Sequence, residues 1–551
     1  MGSARIPDNG IWAPFLGDQG SIINGLDQLG LQGVPEATFQ KLLHGLNNVT
    51  GRIRYYAFYC WLLNQYMEGV GGQYAEKGAS EDPALQKRFI RAGEFIMSLI
   101  GQHPDLQLTN IPGSTFAQKL WEDDPKGPFD LGAAIYNAEG GTNNSYWKYS
   151  SGAFGQYYLG SMRDMRLVQL SAEDTQLFLR TPKEEGATWV SGKELAEAFA
   201  ESVGEKAEAL FIQAIRDEQI SREVLDEVSG RFRPDGIPKG SLEHDLLSRM
   251  LGQADDPLQA GLEGESRLRA STIRLFLSKQ EDMQGDAVGF WKEPYRRFTA
   301  LAYLEGAKLE EENSGAWFGW YHYMFNELWQ FSCNALLSVM LRSLRDDWHG
   351  MARKEAWVNQ LASHVEQRLL SESGASQLTL NAAITAHDAQ QEWDYVGQIF
   401  NRASTVEATA VAAVRLILTL VNRNADSFER LQDFDGRVIQ KADQSPVRKL
   451  EHLIAEFGER PIQKFIAHFM DRHIVMRHHE VAIRKMRGRS QSTQKFSFES
   501  GWVRYLRPME AAFMGPRLPS LQHFLADLGL TQTDGVPTAL ASEWMDKHLV
   551  T

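Results

Sequence analysis

Cysteine is nearly absent from this sequence, and so is any long apolar run. Two cysteines among 551 residues, Cys60 and Cys333, cannot build a disulfide framework. They are also too few for a structural zinc site made of thiolates. The longest apolar stretch, Ala408 to Val421, is interrupted by Arg415 and is too short to span a bilayer. Residues 1–20 lack a basic segment followed by an apolar one, so no secretory signal is expected. Reduced cysteines and no membrane span imply a cytoplasmic chain, and the N-x-S/T matches at Asn48 and Asn143 then carry no glycan. Reaction motifs are missing as well. There is no G-x-x-x-x-G-K-[ST], no G-x-G-x-x-G behind a strand and no G-x-S-x-G, which argues against a P-loop ATPase, a Rossmann enzyme and an α/β-hydrolase. Pro234-Asp235 lacks the acid-x-Lys that a nuclease of that pattern needs. No cofactor and no metal is expected.

What is present is ordinary globular material. Hydrophobic residues make up 43% and charged residues 23%, enough apolar surface to exclude disorder as the whole answer. Positive charge is scarce and unevenly placed. The net charge is −14, yet from Lys441 to Thr551 there are 16 Lys and Arg against 12 Asp and Glu. Between Arg472 and Arg517 ten basic residues face three acidic ones. An acidic body with a basic region near the end suits an anionic partner. The plainer alternative is a solvated helix face paired with the acidic body.

Most of the chain reads as helix. Glu36 to Asn47 places Phe39, Leu42, Leu43 and Leu46 at helical spacing. Gly51 to Met67 is apolar almost all round, which predicts a helix buried deep in a core. Asp82 to His103 is amphipathic. Thr109 to Ser145 reads as irregular, ending in a loop at Glu139–Ser145. Between 150 and 200 the pattern changes. A helix is followed by short strands at Leu167–Leu170 and Gln176–Arg180, then by a helix that Ser191 caps. The end of the chain partly echoes this order, with helices at Leu518–Leu528 and Thr538–Leu549 around a turn at Asp534-Gly535. Between them helices are predicted at Glu205–Arg216, Ser266–Ser278, Glu293–Leu304, Trp317–Leu344, Lys354–Leu370, Gln390–Phe400 and Thr405–Asn422, with loops at Leu225–Gly240 and Gly252–Glu265. The expectation is a mainly α, multidomain helical protein with winged-helix-like α+β elements. Its runs are an N-terminal helical domain (1–145), a winged-helix-like module (146–203), a central helical domain (204–440) and a basic domain with a winged-helix-like end (441–551).

Candidate sites follow from side-chain chemistry. Arg472, Arg477, Arg484, Lys485, Arg487, Arg489 and Lys495 are interleaved with histidines and with small polar residues. Guanidinium forks and small hydroxyls or amides are the groups that hold phosphates. Phe496, Phe498, Trp502 and Tyr505 follow, and they either stack on bases or form one buried sheet face. His468, Asp471, His473, His478 and His479 do not converge at metal-ligand spacing, and His479-Glu480 lacks the second histidine of a zincin motif. His387-Asp388 is an HD dipeptide, with His364 and Asp394 or Asp426 as companions in a metal-dependent phosphohydrolase. The dense aromatic run from Trp317 to Trp329 is expected to be core. Arg52 and Arg54 are candidates for buried ion pairs or for an anion site.

Residues 46–56, Leu-Asn-Asn-Val-Thr-Gly-Arg-Ile-Arg-Tyr-Tyr, and the stretch from His479 to Arg487 resemble uncharacterised bacterial proteins of phage-defence gene neighbourhoods. That resemblance implies a subunit of a multi-protein antiviral system and no catalytic residue. The combined expectation is a non-catalytic subunit that binds nucleic acid, DNA ahead of RNA, or scaffolds a complex with protein partners, away from membranes. The alternatives are the HD phosphohydrolase and a pure protein–protein scaffold.

Overall fold

The structure is a computed structural model that describes residues 27–67, 82–136, 146–171, 176–187, 189–252, 265–306, 314–387, 391–439, 445–486, 492–532 and 535–548. It is mainly helical, with three small antiparallel sheets among the described residues. No helix there is long and apolar enough to cross a membrane. The chain forms two compact units, each gathered from separate runs of sequence. The first takes the described residues of Met1–Thr38, Ala302–Lys308 and Gly319–Met514; the second takes those of Phe39–Leu301, Leu309–Phe318 and Gly515–Thr551.

The second unit is built around the helix Arg54–Gln65, in which every residue from Arg54 to Leu63 is buried. A helix with no polar face must be surrounded, and this one packs closely on Gly192–Val203. Phe58, Trp61, Phe199, Phe211 and Phe232 interlock, Phe211 and Phe232 stacking at 4.4 Å between ring centres. Such pairs add about 0.5–1.5 kcal/mol each beyond burial. The helix Gly192–Val203 starts at a capping box in which Ser191 and Glu194 satisfy each other's backbone amides. A hairpin precedes it, Val168–Leu170 pairing antiparallel with Phe178–Arg180.

Arg54 opens the central helix and is itself fully buried. Its Nε and Nη2 donate to the two carboxylate oxygens of Glu243 at 2.8 and 3.1 Å. Its Nη1 donates to the carbonyls of Arg231 and Arg233 at 2.9 and 2.8 Å. Those carbonyls end the helix Arg222–Phe232, so one guanidinium serves an ion pair and a helix C-terminus together. Arg52 pairs with the buried carboxylate of Asp527 at 2.7 Å. Both arginines are therefore ion-pair partners inside this unit.

The helix Pro83–Gly101 holds a second buried polar cluster. Arg91 donates to the carbonyls of Ala134, Trp147 and Tyr149. One turn on, Glu94 accepts from the amides of Ala153 and Phe154 and from the Tyr59 hydroxyl. A cation on carbonyls and an anion on amides clamp the segment 147–154 onto the helix. Gly152 (φ +66°) makes this approach possible, since a β-carbon there would lie 2.2 Å from the Glu94 carboxylate. Burial raises the Glu94 carboxyl to about 7, against the donors that favour its charged form. Burial likewise raises Asp527 to about 6 despite Arg52.

The first unit includes most of the helix Ser314–Asp346, with Lys354–Ser373 packed on Val406–Asn424 and Ile462–His468. A three-stranded sheet has Trp502–Tyr505 at its centre, between Met351–Arg353 and Phe496–Glu499. Thr38 Oγ1 lies 3.1 Å from His322 Nδ1, and His322 Nε2 lies 2.8 Å from Asp435 Oδ1. This chain has the composition of a nucleophilic triad, but all three side chains are buried, so it braces the core.

Two loop expectations are corrected. Part of Leu225–Gly240 is the helix Arg222–Phe232, because Leu225, Val228 and Phe232 form one buried stripe behind a Ser221 cap. Thr109–Ser145 is not irregular throughout. It contains the helix Ser114–Asp123, seated by Ala117 and Trp121, and the short helix Gly132–Tyr136. A strand, Phe129–Asp130, lies between them and pairs with Gln219–Ile220. The loops expected at Glu139–Ser145 and from 253 to 264 lie outside the described residues.

Removing one partner of the Arg54–Glu243 pair strands a buried charge. Glu243→Leu and Arg54→Met should each cost about 3–5 kcal/mol in denaturant unfolding, and the double variant R54M/E243L less than their sum. The raised carboxyls set a pH dependence. Between 4.5 and about 7 for Glu94, and between 3.8 and about 6 for Asp527, the folded state binds the proton more tightly than the unfolded one. The stability contributed by these two groups is therefore fully present below the unfolded values and is lost as pH rises through those windows. Glu94→Gln should abolish the part of the fall above pH 6, as read from denaturation midpoints.

Candidate nucleic-acid interface

The described basic residues singled out by sequence divide into three groups. Arg472 and Arg484 are exposed on the run of helix from Ile462 to Met486. Arg477 and Lys485 carry internal hydrogen bonds: Arg477 Nε donates to Leu29 O at 2.9 Å, and Lys485 Nζ to Asp27 O at 2.6 Å. His478 Nδ1 lies 3.1 Å from Gln28 O, and its Nε2 accepts from the Lys495 amide at 3.0 Å. The turn Asp27–Gly30 is thus docked on the basic helix. A β-carbon on Gly30 would meet Val481, Arg477 and Arg484 at 3.1–3.3 Å. Lys495 is 3% exposed, and burial with Arg507 nearby lowers its amine to about 8. Arg487 and Arg489 lie outside the described residues.

The aromatic alternation also divides. Phe496, Phe498 and Val503 share the inner face of the three-stranded sheet. Trp502 and Arg504 lie on the outer face, where Trp502 is 36% exposed. The Arg353 guanidinium lies 5.1 Å over the Trp502 ring. Serine 497 stands opposite Arg504 and Glu499 opposite Trp502. A flat indole beside two arginines is the composition of a base-stacking platform.

In the same unit, a cleft of about 520 Å³ is lined by three arginines, Arg342, Arg345 and Arg402, with Ser338, Asn401 and Phe400. The helix Ser314–Asp346 supplies Arg342 and Arg345 near its C-terminal end, and the turn after Phe400 supplies Arg402. Phe400 is 45% exposed and is backed by Phe331 and Phe513, which stack at 4.2 Å. Arg342 donates to Ser404 O at 2.9 Å, which fixes its direction. Arg345 pairs with the adjacent Asp346, and Arg402 with Glu510 at 3.2 Å. Both pairs are open to solvent, where an ion pair is worth about 0–1 kcal/mol, so a phosphate can replace the carboxylate at little cost. Sequence reading missed this cleft. The only trace was a pair of arginines three residues apart closing a long apolar helix.

The remaining candidates take structural positions. The aromatic run from Trp317 to Trp329 is buried, as the core reading expected. His387 Nδ1 lies 2.6 Å from Ala383 O, and burial lowers its ring, while Asp388 lies outside the described residues. Asp471 pairs with Lys354 at 2.6 Å. His473 is lowered to about 4 by burial and by neighbouring basic groups, and it stacks on Phe469. Among the described residues no group of three or more His, Cys, Asp or Glu is arranged to hold a metal ion. Scans against protein-family models, curated proteins and solved structures return no match to this chain.

Arg477 holds the turn at Leu29, so its loss leaves a half-buried carbonyl without its donor. Arg477→Gln should lower stability by about 1–3 kcal/mol. The salt dependence of any polyanion binding should stay as in the parent chain, which titrations at several salt concentrations will check.

Proposed function

We propose that this chain is a non-catalytic nucleic-acid-binding subunit that grips a single-stranded segment through the first unit. Phosphates lie on Arg342, Arg345 and Arg402, and bases stack on Phe400 and on the Trp502–Arg353 pair. The observation that carries this reading is the convergence of three arginines on one cleft with a half-exposed phenylalanine in its wall. Guanidinium forks bind phosphates at two points, and an open aromatic face accepts any base. Arg504, Arg472 and Arg484 extend the positive surface for a longer strand. The hairpin at 168–180 with its flanking helices, and the helix–turn–helix order at 518–548, supply the winged-helix-like elements of the proposal. A cytoplasmic bacterial setting with protein partners, directed against phage, belongs to the same proposal and rests on the resemblance at 46–56 and 479–487.

Fluorescence anisotropy with labelled single- and double-stranded DNA and RNA, at several salt concentrations, tests the reading. Wild type should bind single strands with a steep salt dependence. Replacing Arg342, Arg345 and Arg402 by Gln should flatten the log–log slope by about two units, at about 0.7 per phosphate contact on a single strand. Trp502→Ala should weaken binding by about 1–3 kcal/mol with the slope unchanged. Absence of binding to every polymer at low salt, or a triple variant with the parent slope, would sink the proposal.

A further inference from the structure

The second unit contains a cleft of its own, about 750 Å³, within the range of about 300–1,000 Å³ typical of small-molecule sites. It draws on parts of the chain far apart in sequence: the break after Leu46, the turn at 110–113, the start of the helix Ser114–Asp123, the segment around Tyr146 and Tyr157, and the start of the helix Leu518–Asp527. Its chemistry is selective. No aspartate or glutamate is among the lining residues. Lys119 is exposed and supplies the one amine. Burial and Arg52 hold the His523 ring below the usual imidazole range. Asn48 and Asn110 present side-chain amides, each nitrogen with one partner already (Gly515 O at 2.9 Å and His523 Nε2 at 3.3 Å) and a second hydrogen and the oxygen to offer, and Trp147 and Tyr157 present aromatic surface.

The walls are fixed before any ligand arrives. A β-carbon at Gly51 would lie 2.3 Å from Asn110 Cβ, so the two sides meet there without a side chain between them. Asn110 itself has φ +60°, a left-handed conformation uncommon for a residue with a side chain. Gly113 (φ +71°) lies flat on Tyr146, where a β-carbon would come within 2.0 Å of the ring. Arg91 holds the carbonyl of Trp147 at 3.0 Å, and Asn47 binds the carbonyl of Tyr157 at 2.5 Å. Trp147 and Tyr157 meet edge to face at 5.3 Å. Preset walls reduce the ordering cost of binding.

We propose that this cleft is a binding site for a mononucleotide, with the single phosphate on Lys119, the base against Trp147 and Tyr157, and the edge of the base read by Asn48 and Asn110. The lack of carboxylates disfavours a cation or a polyamine. A single amine suits one phosphate better than a triphosphate chain. Amide side chains offer a donor and an acceptor together, as the edge of a base requires, and flat aromatic walls suit its face. The site shares no residue with the arginine cleft, so either proposal can fail without the other.

The test is calorimetry on the full chain with AMP, GMP, CMP and UMP, with the matching nucleosides and inorganic phosphate alongside. At least one mononucleotide should bind saturably, and its nucleoside at least about tenfold more weakly, a difference of about 1.4 kcal/mol. Lys119→Gln should bring the nucleotide down to the affinity of its nucleoside. Trp147→Leu should weaken both about tenfold. Asn48→Ala, at an exposed position, gives a second readout should the tryptophan variant fold poorly, and should narrow the preference among bases. Arg402→Gln should bind as the parent does. No saturable binding of any mononucleotide up to about 1 mM, about −4 kcal/mol, would overturn the proposal. So would equal affinity for nucleotide and nucleoside in the parent chain.

Discussion

The second unit depends on a buried charge pair. Arg54 and Glu243 are both withdrawn from water, a step that costs several kcal/mol per ion even after relaxation. The cost is offset only because the guanidinium donates to both carboxylate oxygens and to two backbone carbonyls. Those partners come from the helix Leu242–Gly252 and from the end of Arg222–Phe232, while Arg54 begins the central aromatic helix. Three helices are therefore tied in register by one side chain. Apolar packing alone tolerates sliding, whereas a fork of four hydrogen bonds does not. The Arg91 and Glu94 clamp applies the same device to an irregular segment, which is how aromatic residues after 145 are held in place.

How much of this was legible in the sequence depended on whether a residue's partner lay nearby. The aromatic helix, its burial and the Ser191 cap were readable because each is local: an apolar face, or a serine three residues before a glutamate. The paired strands at 168–170 and 178–180 were readable as two short runs between a helix and the Ser191 cap. Arg222–Phe232 was missed because Gly230 and Pro234 outweighed three apolar residues at helical spacing. Division at 145, 203 and 440 describes runs of sequence, whereas both compact units interleave such runs.

The basic region shows the same limit in the site. Charge and spacing marked Arg477, Lys485 and Lys495 as phosphate ligands. Nothing local reveals that carbonyls at 27–29 accept from the first two, or that Lys495 is buried. Arg342, Arg345 and Arg402 carried no such mark, because they converge only when the turn after Phe400 meets the end of a helix. Both clefts join segments that propensity reads as unrelated, so their chemistry emerges from packing.

The docking of the turn Asp27–Gly30 on the helix Arg477–Met486 also sets a schedule for synthesis. Its hydrogen bonds join residues 447–458 positions apart. At about 5–20 residues per second, a ribosome takes between about 20 and 90 s to make the intervening chain. For that interval Leu29 and its neighbours have emerged while their partners have not. The first unit therefore cannot close until residues 477–485 have been made, and shortening the chain before residue 477 removes the surface on which its own beginning folds.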